Sequence, residues 1–379
     1  MKKIILIILL FTFLVGLAAG CSNSLADETS EEAVPLTEEI VDTANLSITD
    51  MVGRTVEMPA NVESIVALGN VPRMVTYLGL AANVVGYSGM QPDTITPGTA
   101  YAYATKDLWA DVPMVGTDAA GANDYYPEEI IRVNPDVILC SYPPELADEI
   151  QSKTGIPVVS VAMGTLFGDD YEEALRLLAQ VCGVPEKAEE VIAFINDCLN
   201  DLDARTASIP DVDNPTILGA AASFRGGHGI EGVYVNNRIF SAINANDVTI
   251  GTADTVGGML VDREQIIGWD PEYIIFDSSN FHIVKEDYKN NPDYYAHLSA
   301  VVNGKLYQTP NATSYYTNLE IPLVTAYYVG NLIYPEQFDD LVFEDKANEI
   351  FKFFLGVDDF IGELEAFGLG YGAVTLGDN

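Results

Sequence analysis

The stretch that decides the fold is residues 185–208, PEKAEEVIAFINDCLNDLDARTAS. Pro185 suits the first turn of a helix, where a missing N–H leaves no hydrogen bond unmade. Ala188, Val191, Ile192, Ile195, Leu199 and Leu202 recur at steps of three and four, which gives one apolar stripe. At 1.5 Å per residue the spacing predicts a helix roughly 30 Å long, enough to run across a domain. Pro210, Pro215 and the acidic residues between them close the segment.

Outward from this helix the pattern changes on both sides to short apolar runs alternating with helical ones. Upstream, strands are predicted over 64–68, 84–86, 113–116, 136–140 and 157–161, with helices over 72–80, 127–133, 143–154 and 171–182. Downstream, strands are predicted over 216–222, 273–276 and 305–308. Residues 287–302 are mostly helical despite Pro292, and helices over 321–333 and 344–355 end the chain. Continuous apolar strands separated by helices predict parallel sheets covered on both faces. The expected fold class is therefore α/β, laid out as lobe, single long helix, lobe. In such sheets ligands bind beyond the carboxyl ends of the strands.

The chain opens with Lys2-Lys3, followed by residues 4–17, which are apolar except for Thr12 and Gly16. That run is about the 7–15 residues of a signal-peptide core and short of the roughly 17–25 that a membrane span requires. Ala18-Ala19-Gly20 then lead to Cys21. A Cys directly after small residues resembles the lipobox of bacterial and archaeal lipoproteins. The resemblance implies acylation of Cys21, for example with palmitate, and anchoring to the outer face of the cell membrane. Residues 22–45 carry Asp27, Glu28, Glu31, Glu32, Glu38, Glu39 and Asp42 and no Lys or Arg; too few apolar groups are present to order them, and like charges extend the segment. The expected organisation is a signal peptide (1–20), a lipid-anchored acidic linker (21–45), an N-terminal α/β lobe (46–170), a helical connector (171–208) and a C-terminal α/β lobe with its terminal helices (209–379).

A formal charge of −38 excludes nucleic acid as a partner, because binding it needs clustered Lys and Arg. After Cys21 only Cys140, Cys182 and Cys198 follow, no disulfide framework. Cys140, inside an apolar run, is expected to be a core thiol. No G-x-S-x-G elbow, H-E-x-x-H, Walker loop or G-x-G-x-x-G occurs, so the sequence points away from an enzyme. A surface-anchored hydrolase is the alternative of another class, and it would need a Ser such as Ser88 with a His in reach.

Four local words support a family reading. ITDMVGRTVEMP (48–59), NPDVILCS (134–141), DPEYIIFDS (270–278) and LSAVVNGKLYQTP (298–310) stand in this order. Together with the lobe–helix–lobe layout they resemble the iron-siderophore, haem and cobalamin binding proteins, the helical-backbone class of ABC-transporter solute-binding lipoproteins. The resemblance covers nearly the whole chain after the leader. It implies two Rossmann-like α/β lobes joined by a single long backbone helix. It also implies a monomer that has no cofactor and hands its ligand to an importer permease and ATPase. Physically the words mark scaffold: Gly53-Arg54 supplies a hairpin turn, the prolines fix φ ahead of buried strands, and Asn303-Gly304 turns the chain back into a sheet.

The family binds between its lobes, so the strand-end loops supply the candidate ligand residues. In the first half these are Asn70, Arg73, Met90, Tyr125, Tyr126 and Tyr142. In the second, SFRGGHGIEGVY (223–234) places Arg225 and His228 among four glycines and ends on Tyr234, and Tyr315 and Tyr316 follow later. Glycines let backbone approach a ligand closely, and Tyr rings stack. The zinc and manganese relatives hold bare metal with several His spread over both lobes. Here His228, His282 and His297 all lie in the second half, which argues against direct metal ligation. A chelated metal is expected instead, a ferric siderophore first and a corrinoid or haem next, with Arg73 or Arg225 needed to offset the acidic background if the ligand is anionic.

Overall fold

The computed structural model describes residues 46–119, 122–314 and 316–377; Cys21, the leader, the acidic segment and Tyr315 lie outside them. Two sheets form the two lobes. The first has the strand order Ala122–Asn123, Met114–Ala119, Val84–Gly89, Ile65–Ala67, Val137–Cys140, Val158–Ser160. All its neighbours are parallel except the short edge strand Ala122–Asn123. The second runs Gly257–Leu260, Gly232–Val235, Thr216–Ala220, Tyr273–Asp277, Leu306–Thr309, Gly372–Ala373. Only its centre is parallel, and antiparallel strands close both sides.

The strands expected over 216–222, 273–276 and 305–308 form this parallel centre. The antiparallel pair Gly232–Val235 and Gly257–Leu260 is not among the expected strands. Its glycines interrupt the period-two signal by which a strand is recognised.

Alternation along the strands assigns each sheet two faces. In the first lobe Val137 and Leu139 join one core, Ile138 and Cys140 another. In the second, Ile217 and Ile275 join the first core, while Leu218, Ile274 and Phe276 fill a separate one. The core that takes a face from each sheet also holds the apolar stripes of three helices, Pro185–Thr206, Glu320–Ile333 and Phe343–Leu355. The lobes therefore share one continuous interior.

The connector Pro185–Thr206 is a helix of 22 residues, about 33 Å. Cys198, not Leu199, takes the buried place on its stripe. It does not join the lobes alone: Phe343–Leu355 packs on Val71–Tyr77 and Ala100–Thr105 of the first lobe, with the Tyr77 and Phe354 rings edge to face at 5.0 Å. Tyr103 also donates to Glu363 Oε2 at 2.6 Å.

The recurring words now have structural meanings. In the hairpin Leu46–Thr49/Thr55–Met58, Gly53 takes the left-handed conformation the turn needs (φ +83°). Arg54 reaches beyond the turn to Asp50, Asp148, Gln151 and the Val158 carbonyl, pinning the hairpin to the first lobe. Asn134 and Asp270 both end a helix with positive φ (47° and 42°), and each stands directly before a proline that precedes the next strand, Val137–Cys140 or Tyr273–Asp277.

Candidate functional site

A cavity of about 350 Å³ opens at the carboxyl ends of the second sheet's parallel strands, where an α/β architecture places its ligands. Its walls include Ser223, Phe224, Tyr234, Arg238, Asp277 and Asn311 from the second lobe. Gly164, Thr165 and Leu166, after the last strand of the first sheet, close it from the other side. The cavity thus lies between the lobes, with unequal shares.

Two of its lining glycines are required by close packing against aromatic rings. A Cβ on Gly258 would lie 2.1 Å from the Phe224 ring, and one on Gly164 2.3 Å from the Tyr171 ring, so neither site accepts a side chain. Phe224 is held from its other side by His228, whose ring stacks at 4.1 Å and whose Nε2 is 2.9 Å from the Phe224 carbonyl.

The floor is a hydrogen-bonded polar set. Asp277 accepts from Ser223 Oγ (2.9 Å), Tyr234 OH (3.3 Å) and the Ser279 amide (2.9 Å). Burial pushes its carboxyl above the usual range, partly offset by those donors. Burial, and next the neighbouring Asp277, also raises the Tyr234 phenol well above its ordinary value, so Tyr234 is a neutral donor. Asn280 holds Ser223 Oγ at 2.7 Å and the Ala221 carbonyl at 2.9 Å.

Arg238 differs from this set. It opens the short helix Arg238–Ser241, which Asn237 caps by accepting from the Ile239 amide, and it is the cationic side chain in the cavity wall. Its Nε is buried and has no hydrogen-bond partner among the described residues. The Asp277 carboxylate is engaged by protein donors, and Arg238 Nε is not engaged by any acceptor among the described residues. An unsatisfied buried donor is costly, and a planar guanidinium fits a carboxylate or other oxyanion through two parallel bonds.

Of the residues expected at the site, Tyr234 lines the cavity. His228 stands behind Phe224, and Arg225 is exposed at the apex of the loop with positive φ (51°). Arg73 and Asn70 are buried one layer behind the wall. Met90 lies instead at a second cavity of the first lobe with Tyr87, Tyr101 and Trp109, its Sδ accepting from Thr99. Tyr125 donates to Glu149 at 2.7 Å, and Tyr126 pairs with Thr117 at 2.5 Å on an exposed face. Tyr142 is packed into the first lobe's own core. Tyr316 belongs to the small hairpin Thr313–Ser314/Tyr316–Thr317. Sequence reasoning passed over Arg238, Phe224, Asp277 and Asn311; the available signal was Asn236-Asn237 directly after an apolar run, a helix cap that places the next residue at a strand end. Among the described residues no group of three or more His, Cys, Asp or Glu is placed to hold a metal ion, and no helix is long and apolar enough to cross a membrane.

Two α/β lobes on a shared helical core, with a ligand-sized cavity between them, define a two-lobed solute-binding protein. The chain belongs to the periplasmic binding protein family, whose model matches residues 58–313, the solute-binding components of ABC transporters. No curated protein sequence matches it. Among solved structures it is similar to a periplasmic solute binding protein from Veillonella parvula, with 23% identity over 84% of this chain and 95% of that one and a TM-score of 0.65. It is also similar to the molybdate periplasmic binding protein MolA of Haemophilus influenzae, with 18% identity, 83% and 98% coverage and a TM-score of 0.64. A third is an ABC-type Fe3+-hydroxamate transport protein of Saccharomonospora viridis, with 21% identity, 78% and 99% coverage and a TM-score of 0.52.

Proposed function

We propose that this protein captures a compact anionic metal chelate, of the ferric-siderophore type, in the interlobe cavity and delivers it unchanged to an ABC importer. The observation that carries this reading is Arg238, a residue of the cavity wall with a buried Nε that no acceptor among the described residues satisfies. In a chain of formal charge −38 an anionic ligand needs such a local cation to offset the surrounding field. The volume of about 350 Å³ stands at the small end of ligand sites, about 300–1,000 Å³. It favours a small chelate over a corrinoid or haem. The same size and single cation also fit a second reading, a bare oxyanion of the kind bound by the molybdate relative.

A thermal-shift screen with ferric citrate, molybdate, haemin, cobalamin and free divalent metals separates these readings. Saturation at 100 times Kd adds about 2.7 kcal/mol of stability. Ferric citrate is expected to raise Tm; a response to molybdate alone selects the second reading, and silence toward both rejects an anionic ligand. Arg238→Ala is expected to weaken binding roughly 10- to 100-fold, from a charged hydrogen bond worth about 1.5–3 kcal/mol. Unchanged affinity removes Arg238 from the site.

The proposal extends to the front of the chain: cleavage before Cys21, a lipid on its thiol, the acidic tether to residue 45, and a monomer held outside the cell membrane. Metabolic labelling with a fatty acid should tag the protein and fail to tag Cys21→Ser; equal labelling of both refutes the anchor.

A further inference from the structure

Arg73 and Asn70 lie behind the cavity and are connected to both of its sides. Asn70 Nδ2 donates to the Met163 carbonyl at 2.7 Å, directly before Gly164, Thr165 and Leu166, the lip supplied by the first lobe. Asn70 Oδ1 accepts from Arg73 Nη1 at 2.7 Å. Arg73 Nε donates to Asn318 Oδ1 at 3.0 Å, a bond between residues 245 apart in sequence. Asn318 in turn donates its amide to the Ala312 carbonyl at 3.1 Å and Nδ2 to the Asn311 carbonyl at 3.5 Å. Asn311, Ala312 and Thr313 are floor residues of the cavity. One guanidinium on the helix Val71–Tyr77 thus joins the lip of one lobe to the floor of the other.

The chemistry of this link is costly if stability is its only role. Arg73 is 1% exposed and Asn318 0%. Glu320, also fully buried, accepts from Tyr77 OH and the Leu319 amide nearby, and burial pushes its carboxyl up, with Tyr77 and then Arg73 partly offsetting this. A buried charge set of this kind is often no more stabilising than apolar packing of the same volume. What the guanidinium adds is direction: a rigid planar fork, held over the Tyr101 ring at 4.7 Å, fixes where each partner stands.

We infer that Arg73 is a positioning residue for ligand binding: without touching the ligand, it sets the spacing between the lip at 164–166 and the floor at 311–313. The inference rests on the reading of this cavity as the ligand site. It assigns Arg73 and Asn70 a part in binding through the shape of the cavity and not through contact.

Two measurements test it. In the ligand-free protein, hydrogen exchange should quicken together at 163–166 and at 311–319 in Arg73→Lys, which keeps the charge and loses the fork. Exchange that changes at one segment only, or at neither, overturns the inference whatever the ligand proves to be. Then wild type, Arg73→Lys, Asn318→Ala and the double variant are titrated with ferric citrate and with molybdate. Arg73→Lys should weaken binding of the responsive probe about tenfold, mainly through faster release. The double variant should be no weaker than the worse single one, because both changes cut the same link. Affinity unchanged while Tm falls, or fully additive losses, overturns it and marks Arg73 as merely structural. Failure of wild type to bind either probe counts against the cavity reading alone, since the exchange result is independent of it.

Discussion

The two lobes are built from the same words and used differently. Each has a helix ended by a residue with positive φ, a proline, and a buried strand. Each gives one sheet face to a common core and keeps the other for its own helices. Yet the first lobe contributes three lip residues to the cavity, and the second contributes its floor and most of its walls. The difference follows the sheets. The first is parallel across its main strands, whereas the second is widened by the antiparallel pair Gly232–Val235 and Gly257–Leu260. Around that pair stand Phe224, Tyr234 and Arg238. Repeated motifs mark where the lobes are equivalent, and the site lies where the equivalence ends.

The largest effect that probes this comparison comes from truncating the cores. Phe276→Ala opens the second lobe's private core, where Phe276 is fully buried against Phe281 with centroids 5.2 Å apart. A loss of about 3–5 kcal/mol is expected. Leu139→Ala opens the shared core from the first lobe's side and should cost about 2–5 kcal/mol. Because one core spans both sheets, calorimetry should show a single transition moving down in both variants. Two separated transitions in Phe276→Ala would mean that the lobes unfold independently despite their common interior.

The same contrast explains what was legible beforehand. The first lobe was readable almost strand by strand because its central strands are continuous apolar runs and Pro127, Pro144 and Pro185 stand at or beside helix starts. The connector was readable from its stripe. The antiparallel pair of the second lobe was not, since Gly232, Gly257 and Gly258 interrupt its alternation. The candidate site suffered for the same reason: Arg225 stood out among glycines, while Arg238, thirteen residues on, follows a strand that the sequence pattern did not reveal. Arg73 looked like a loop residue at a strand end, and its partner Asn318 is reachable only through the tertiary fold.

The smallest expected effect sets scaffold aspartates against the aspartate of the site. Asp136 accepts from the Glu63 amide and from the Ser64 amide and hydroxyl, and these donors, the Glu63 amide foremost, hold its carboxyl below the usual range. Asp270, the residue that ends the helix before the second lobe's entry strand, is lowered by the Ser299 hydroxyl and amide. A lowered folded pKa contributes stability above the unfolded value, about 3.9, and loses it as pH falls through the folded one. Asp136→Asn and Asp270→Asn should therefore lower stability at neutral pH, less at the exposed Asp270, where solvent screens the interaction, with the deficit shrinking in acid. Asp277, raised by burial, has the opposite sign: its contribution is present below the unfolded value and lost as pH rises through the folded one. Asp277→Asn should accordingly gain on wild type as pH rises from about 4. Melting temperatures of the three variants against pH decide the matter. Parallel curves would show that Asp277 is one more scaffold carboxylate; diverging curves would show that the second lobe gave up stability in its own floor to keep a polar group facing the cavity.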